Sequence, residues 1–453
     1  MENLDIAKFG GTSVANYEAM LSSVKVVTSN PNTRIVVVSA CAGVTNILVE
    51  LASGALSSNM RAQKIEELKN IHESISSHFD ASTKDRCNQH IQEHLEEIEN
   101  LAREANMGRS DALTDRIVSH GELLSSYLIS EVFKQQGFKS KCFDVRQIMR
   151  TDSAFGCSQP LVEVMGQLTR DNLIPLLDDG SIIVTQGFIG SNSEGQTTTL
   201  GRGGSDYSAA LLGEATQAST ISIWTDVPGV YTTDPRLVPH AMPISELTYL
   251  EAAEMATFGA KILHPSTLVP AVRRGIPVYV GSSKEPEKGG TWVKPKTETK
   301  PSFRAVALRK SQTLIVLASP KMVGASGFLA KVFGIFAKYK QSIDLVSTSE
   351  VSIAVTLDAG SQTSGISAIS EGMIEELREF CNVQIENGLS LVAIIGNEMS
   401  KTAGTATKAF DAIEKYSVRM ICYGASSHNL CFLVDEKDAT NALVDLHKYL
   451  LEK

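Results

Sequence analysis

Short apolar runs recur along the first two thirds of the chain: Ile35-Val36-Val37-Val38, Ile182-Ile183-Val184-Thr185, Ile221-Ser222-Ile223-Trp224 and Ile276-Pro277-Val278-Tyr279-Val280. A strand that is apolar on both faces must be covered on both faces, so these runs predict a mainly parallel sheet between layers of helices. Between the first run and the second the period changes. Ile65, Leu68, Ile71 and Ile75, then Ile91, Leu95, Ile98, Leu101 and Ala105, recur at helical spacing within charged sequence. This predicts a helical hairpin over about 60–110 inserted into the α/β domain. His90 and His94 lie one turn apart in it, with polar flanks and no third ligand in the sequence, so a solvated helix face is expected for them rather than a metal site.

Residues 284–304 are rich in Pro, Gly, Lys and Glu and read as a boundary, which divides the chain into 1–295 and 296–453. Beyond it the sequence repeats itself. Residues 313–358 align without a gap on 390–435 at an offset of 77, pairing Leu314 with Leu391, Met322 with Met399, Gly327 with Gly404, Lys331 with Lys408 and Ser349 with Ser426. Apolar positions agree as well, in the order strand, helix from Gly327 or Gly404, strand, strand. Two copies of a small α+β module are therefore expected. They differ in charge: Asp344 and Glu350 of the first copy face Ile421 and Ser427 of the second. With the N–H groups of a helix opened by Gly327-Phe328-Leu329, these acids would suit a dibasic amino acid.

A chain of 453 residues exceeds a single core. Its net charge of −9 argues against nucleic acid or an anionic membrane as partner, since both need clustered Lys and Arg. Seven scattered cysteines without C-x-x-C spacing indicate neither a disulfide framework nor a zinc site. The N-terminus, Met-Glu-Asn-Leu-Asp, has no basic region, and no apolar run approaches membrane-spanning length. A cytoplasmic location is expected.

Candidate chemistry gathers in three glycine-bearing stretches. In Lys8-Phe9-Gly10-Gly11-Thr12-Ser13-Val14 a strand would deliver Lys8, the glycines would let backbone approach an anion, and Thr12-Ser13 would cap a following helix. No G-x-x-x-x-G-K-[ST] loop occurs. In Thr197 through Asp206, Arg202 offers a planar fork for carboxylate or phosphate. Trp224 through Arg236 reads as a strand end and turn-rich loop, as at a nucleotide-binding sheet edge.

Together with Val118-Ser119-His120-Gly121-Glu122 and Phe258-Gly259-Ala260-Lys261, these stretches resemble the signatures of the aspartate kinases of the amino acid kinase family, and the repeated tail resembles paired ACT domains. The chain ends near 450, as in the monofunctional, lysine-sensitive subtype. The resemblance implies a three-layer αβα kinase domain followed by two βαββαβ ACT domains, the first (about 313–388) inserted within the second (about 303–312 plus 389–453). It implies phosphoryl transfer from ATP to the side-chain carboxylate of L-aspartate, with Mg²⁺ carried by ATP and no metal ligands of the protein's own. Lys8 and Asp206 would be catalytic; Lys8, Gly10, Gly11, Thr225, Asp226, Tyr231, Arg236 and Lys261 would bind ATP. Ser39, Thr45, Glu122, Phe188, Arg202, Gly203 and Ser205 would surround aspartate. Met322, Phe328, Leu329, Ile343, Asp344, Ser349, Glu350 and Val351 would bind L-lysine as inhibitor, in a homodimer formed through the ACT domains, with a tetramer as the larger alternative. Other members acting on glutamate, acetylglutamate or a nucleotide should lack this combination of signatures, and a non-catalytic sensor need not keep Lys8, Asp206 and Lys261. A threonine-sensitive or unregulated aspartate kinase is the alternative within the subtype.

Overall fold

A computed structural model describes residues 3–259, 263, 265–358 and 369–452. These fall into two compact units.

The first unit is built on an eight-stranded sheet. Its strands are β1 (Asp5–Phe9), β2 (Thr33–Val38), β3 (Ser140–Phe143), β4 (Ile182–Gln186), β7 (Thr220–Thr225), β8 (Glu246–Thr248), β9 (Val278–Ser282) and β10 (Gly290–Lys294); β5 (Ile189–Ser191) and β6 (Thr197–Thr199) form a separate hairpin. The order is β3-β4-β2-β1-β7-β9-β10-β8, with only the β9–β10 pair antiparallel. The apolar runs of the sequence are β2, β4, β7 and β9, and Ile35, Val37, Ile183 and Ile221 are all fully buried. The chain leaves β1 towards β2 on one side and returns to β7 on the other. β1 is therefore the switch point, and the crevice at the carboxyl ends of these strands is where an open parallel sheet takes a ligand.

Helices α1 (Tyr17–Thr28), α2 (Val44–Ala52), α3 (Ser58–Ser76), α4 (Ala81–Met107), α5 (Asp111–Gln135), α6 (Val162–Leu168), α7 (Gly204–Thr216), α8 (Tyr249–Thr257) and α9 (Pro265–Arg274) complete this part of the chain. The predicted hairpin is α3 and α4. Its apolar stripe, Leu68, Ile75, Ile91, Leu95, Ile98 and Leu101, belongs to one core with α5 and the central strands. His90 and His94 are not on a solvated face. His90 lies over Tyr127 at 4.0 Å, and His94 Nδ1 is 2.6 Å from Nδ1 of the buried His120 on α5. Burial lowers the pKa of His94 to about 3 and of His120 to about 4, so the row stays neutral.

The second unit holds a six-stranded antiparallel sheet of β11 (Ala305–Ala318), β12 (Val346–Thr348), β13 (Ser352–Asp358), β14 (Asn382–Ile395), β15 (Val418–Tyr423) and β16 (Asn429–Asp435), ordered β12-β13-β11-β14-β16-β15. Its helices are α10 (Phe328–Lys338), α11 (Glu371–Arg378), α12 (Thr405–Asp411) and α13 (Glu436–Leu450). The sequence repeat is a structural one. Gly327 and Gly404 precede α10 and α12, both at φ 81°, in the left-handed region that a Cβ disfavours. β11 and β14 are long because each serves both modules: Gln312–Ala318 pairs with β13, and Leu389–Ile395 with β16. The two halves of β11 meet at an irregularity between Arg309 and Leu314.

This unit also includes Tyr231–Met242 and the segment beginning at Glu254. The first is tied in by Val306 N–H donating to Thr232 O at 2.8 Å and by Thr232 Oγ1 against His447 Nε2 of α13 at 2.8 Å.

Candidate active site

The carboxyl ends of β1, β2 and β4 open on a cavity of about 300 Å³ lined by Lys8, Ser39, Thr45, Glu122, Phe188, Gly201, Arg202, Gly203, Gly204, Ser205 and Asp206. Residues from six stretches of chain meet there, each brought by a definite element.

β1 supplies Lys8, which is 8 % exposed and whose Nζ lies 2.5 Å from Asp206 Oδ1. The contact is a close ion pair rather than an aligned hydrogen bond, because that oxygen has no partner at hydrogen-bonding angles among the described residues. Gly11 is fixed by space: a Cβ would stand 2.8 Å from Ala40 O. The Gly10 amide is already given to Trp224 O at 3.1 Å. Thr12-Ser13 does not cap the next helix. Asn16 does, its Oδ1 accepting from Ala19 N at 2.9 Å, while Ser13 Oγ meets Ser283 Oγ at 2.7 Å.

α5 supplies Glu122. Gly121 lets the helix approach closely, since a Cβ there would meet Ala40 Cβ at 2.7 Å, and Ser125 Oγ donates to Ser39 O at 2.7 Å. Glu122 Oε1 accepts from Ala40 N at 3.1 Å, whereas buried Oε2 has no partner among the described residues. Burial raises the carboxyl pKa from 4.5 to about 8, against the pull of the Ala40 amide and Lys8. An acid so held calls for a cation.

The glycine-rich loop enters from the β5–β6 hairpin. Its conformation is set by Gly201 and Gly203, at φ 75° and 71°. Gly203 precedes α7 with no side-chain cap; Gly204 N–H donates to Gly201 O at 3.0 Å, and the N–H groups that follow it in the first turn of this 13-residue helix are the ones an anion can meet. Phe188 is itself at φ 69°, and a Cβ on Gly204 would stand 2.6 Å from its Cδ2. Arg202 is exposed. Below the loop, Asp115 on α5 accepts from Thr199 N at 2.9 Å, Thr199 Oγ1 at 2.7 Å and Gly156 N at 2.9 Å. Sequence reasoning missed Asp115. Its one available signal was a carboxylate among the apolar positions of α5.

The remaining candidates are placed as follows. Thr225 and Asp226 follow β7, which pairs in parallel with β1 so that Phe9 faces Trp224, and Thr225 Oγ1 donates to Asp226 Oδ1 at 3.0 Å. Neither lines the cavity. Tyr231 and Arg236 belong to the second unit, where Arg236 pairs with Asp234 at 2.7 Å. Lys261 lies outside the described residues.

An amino acid kinase family model matches residues 4–282, and an ACT domain model matches 392–450. Along its whole length the chain is 51% identical, over 453 residues covering 100% of both proteins, to the lysine-sensitive aspartokinase 3 of Escherichia coli K12. The chain belongs to the aspartokinase branch of the amino acid kinase family. Solved structures agree. E. coli aspartokinase III with aspartate and ADP, in its R-state, matches with a TM-score of 0.91 at 50% identity, covering 99% of this chain and 100% of that one. The same E. coli enzyme with lysine and aspartate, in its T-state, matches with a TM-score of 0.84 over the same shares.

In the second unit of this aspartokinase the effector candidates surround the start of α10 and the hairpin before β13. Phe328 and Leu329 open α10, which has no side-chain cap. Ser349 Oγ meets Ser352 Oγ at 2.8 Å, and Glu350 and Val351 are exposed beside them. Met322 N–H donates to Ser319 O, and Met322 and Ile343 pack against the core of the first module. Asp344 forms an ion pair with Arg309 at 3.1 Å. An incoming ammonium would therefore compete with a guanidinium at Asp344 but meet an exposed carboxylate at Glu350.

Proposed function

We propose that the enzyme transfers the γ-phosphoryl group of ATP to the side-chain carboxylate of L-aspartate, giving 4-phospho-L-aspartate, and that L-lysine inhibits it by binding at the first ACT module. This is the first step of the aspartate route to lysine, threonine and methionine. The observation that carries the reading is the cavity itself. One buried carboxylate oxygen without a partner among the described residues, Glu122 Oε2, shares it with Arg202, Lys8 and the uncapped first turn of α7. Those are the groups required by an ammonium, a carboxylate and a transferring phosphoryl group.

The chemistry asks little more of the chain. A carboxylate with a pKa near 4 is ionised at neutral pH and needs no general base. Positioning of two anions and stabilisation of the transferring charge suffice. Arg202 takes the aspartate carboxylate as a fork, Glu122 takes the ammonium, and Ser39, Thr45, Phe188, Gly203 and Ser205 close around the substrate. Lys8 faces the transferring group, with Asp206 holding it in place. Thr225, Asp226, Tyr231, Arg236 and Lys261 serve the nucleotide, and Mg²⁺ arrives bound to ATP. The regulatory form is a homodimer through the ACT modules.

Incubation with ATP, Mg²⁺, aspartate and hydroxylamine tests the reading, because an acyl phosphate is trapped as the hydroxamate. No hydroxamate would overturn it. Adding lysine, then threonine, identifies the effector. Arg202→Ala is expected to raise KM for aspartate about a hundredfold with kcat changed far less, since a charge-assisted contact is worth ~1.5–3 kcal/mol. An unchanged KM would remove Arg202 from the substrate site. Glu350→Ala is expected to abolish lysine inhibition and spare basal activity. Inhibition at the wild-type lysine concentration would place the effector elsewhere. No described helix is long and apolar enough to cross a membrane.

A further inference from the structure

The two ACT modules share one hairpin but use it differently. In the first, Ser319 N–H donates to Val351 O at 2.9 Å; at the offset of 77 in the second, Gly396 N–H donates to His428 O, also at 2.9 Å. The backbone frame is the same. In the first module the side chains on that frame, Ser349 and Ser352, bond to each other at 2.8 Å. Their counterparts are Ser426 and Asn429. Ser426 Oγ donates to Glu254 Oε1 at 2.6 Å, and Asn429 Nδ2 donates to Glu254 Oε2 at 2.7 Å. His428 N–H donates to Ser426 Oγ at 3.0 Å and so orients the hydroxyl.

Glu254 comes from α8, outside both repeats, and each of its carboxylate oxygens is taken by one donor of the hairpin. A few residues on, Gly259 runs at φ 116°, where an added Cβ would stand 2.9 Å from Leu308 O on β11. The segment 254–259 is thus bonded to the ACT sheet at Glu254 and runs close against it at Gly259.

We infer that Glu254 is an internal occupant of the second module's hairpin, standing where the first module keeps its site open for a free amino acid. It is a positioning residue. Through it the second module carries the segment leading into Phe258-Gly259-Ala260-Lys261, whose lysine is assigned to the nucleotide. The second module then needs no effector of its own: its ligand is built in, and its task is to pass the state of the regulatory unit to the nucleotide side. It fits the difference in charge between the copies, the second having Ile421 and Ser427 where the first has Asp344 and Glu350. A hairpin built to receive a carboxylate would be repelled by acids of its own.

The inference rests on the proposed reading as a lysine-inhibited aspartate kinase, and the wild-type arm checks that reading separately. Failure of the wild type to make hydroxamate, or to respond to lysine, overturns the reading and with it the inference. With an active, inhibitable wild type, Glu254→Ala is expected to raise KM for ATP about tenfold, the size of effect of a residue that acts on a site through others. KM for aspartate should stay within about twofold, and the half-inhibiting lysine concentration should shift at least about threefold. Asn429→Asp sets a like charge against Glu254 and is expected to give the same split from the other side. Both variants keeping the wild-type KM for ATP and lysine response would overturn the proposal. So would a parallel rise in both KM values, which would mean a merely structural contact.

Discussion

Replacing Lys8 by alanine is expected to lower turnover about a thousandfold, with KM for ATP moving less than about tenfold. The asymmetry follows from where Lys8 sits. It projects from the carboxyl end of a buried strand, is 8 % exposed, and has a close anionic neighbour, Asp206 at 2.5 Å. Nucleotide binding spreads over many groups, but charge developing on the transferring phosphoryl group must be met by a cation already in position. Water, which must reorient as the charge develops, is a poor substitute for a cation fixed in advance. Asp206 limits the alternatives, since it holds the ammonium at one point in the free enzyme. Lys8→Arg is expected to recover little, because a planar guanidinium does not occupy the place of a compact ammonium between Asp206 and the Gly10 backbone. Steady-state hydroxamate kinetics, varying ATP and aspartate in turn, separate the two parameters. Turnover within about tenfold of wild type would remove Lys8 from the transition state.

What could be read from the sequence, and what could not, divides by the range of the interaction. The parallel strands were legible because burial on both faces leaves runs such as Ile35–Val38 without polar interruption. The repeat was legible because Gly327 and Gly404 both fill the same left-handed position before a helix. Lys8, Glu122 and the 201–206 loop were legible as motifs, and they meet in one cavity. Failures occurred where the deciding partner is remote. Ser13 was free to cap a helix until Ser283, 270 residues away, claimed its hydroxyl. His90 and His94 looked solvated because Tyr127 and His120 lie on another helix. Asp115 bonds across 84 residues to Thr199, and no local pattern reports such a contact. Periodicity and local chemistry reach a few turns of chain; the sheet order decides the rest.

Aspartate binding is expected to release close to one proton per site at pH 7, and none in Glu122→Gln. Glu122 in the free enzyme is held protonated by burial, with a pKa of about 8 against 4.5 in the unfolded chain. The sign follows from linkage. Between those two values the native state binds a proton that the unfolded state has lost, so this residue's contribution to stability declines as pH rises from 4.5 towards 8. Substrate reverses the balance. An ammonium placed against Glu122 Oε2, the oxygen without a partner, favours the carboxylate and drives the proton off. Aspartate affinity should therefore strengthen about tenfold per pH unit up to the carboxyl's own pKa and level off above it. Glu122→Gln keeps the shape and can still accept from Ala40 N–H, but offers the ammonium no charge. Its affinity for aspartate is expected to fall about a hundredfold and to lose its pH dependence over this range. Calorimetric titration of the ADP-bound enzyme in two buffers of different ionisation enthalpy counts the protons directly. Equal heats in both buffers for the wild type would mean that Glu122 is already ionised before substrate arrives, and that the buried oxygen has a cation other than the substrate to answer it.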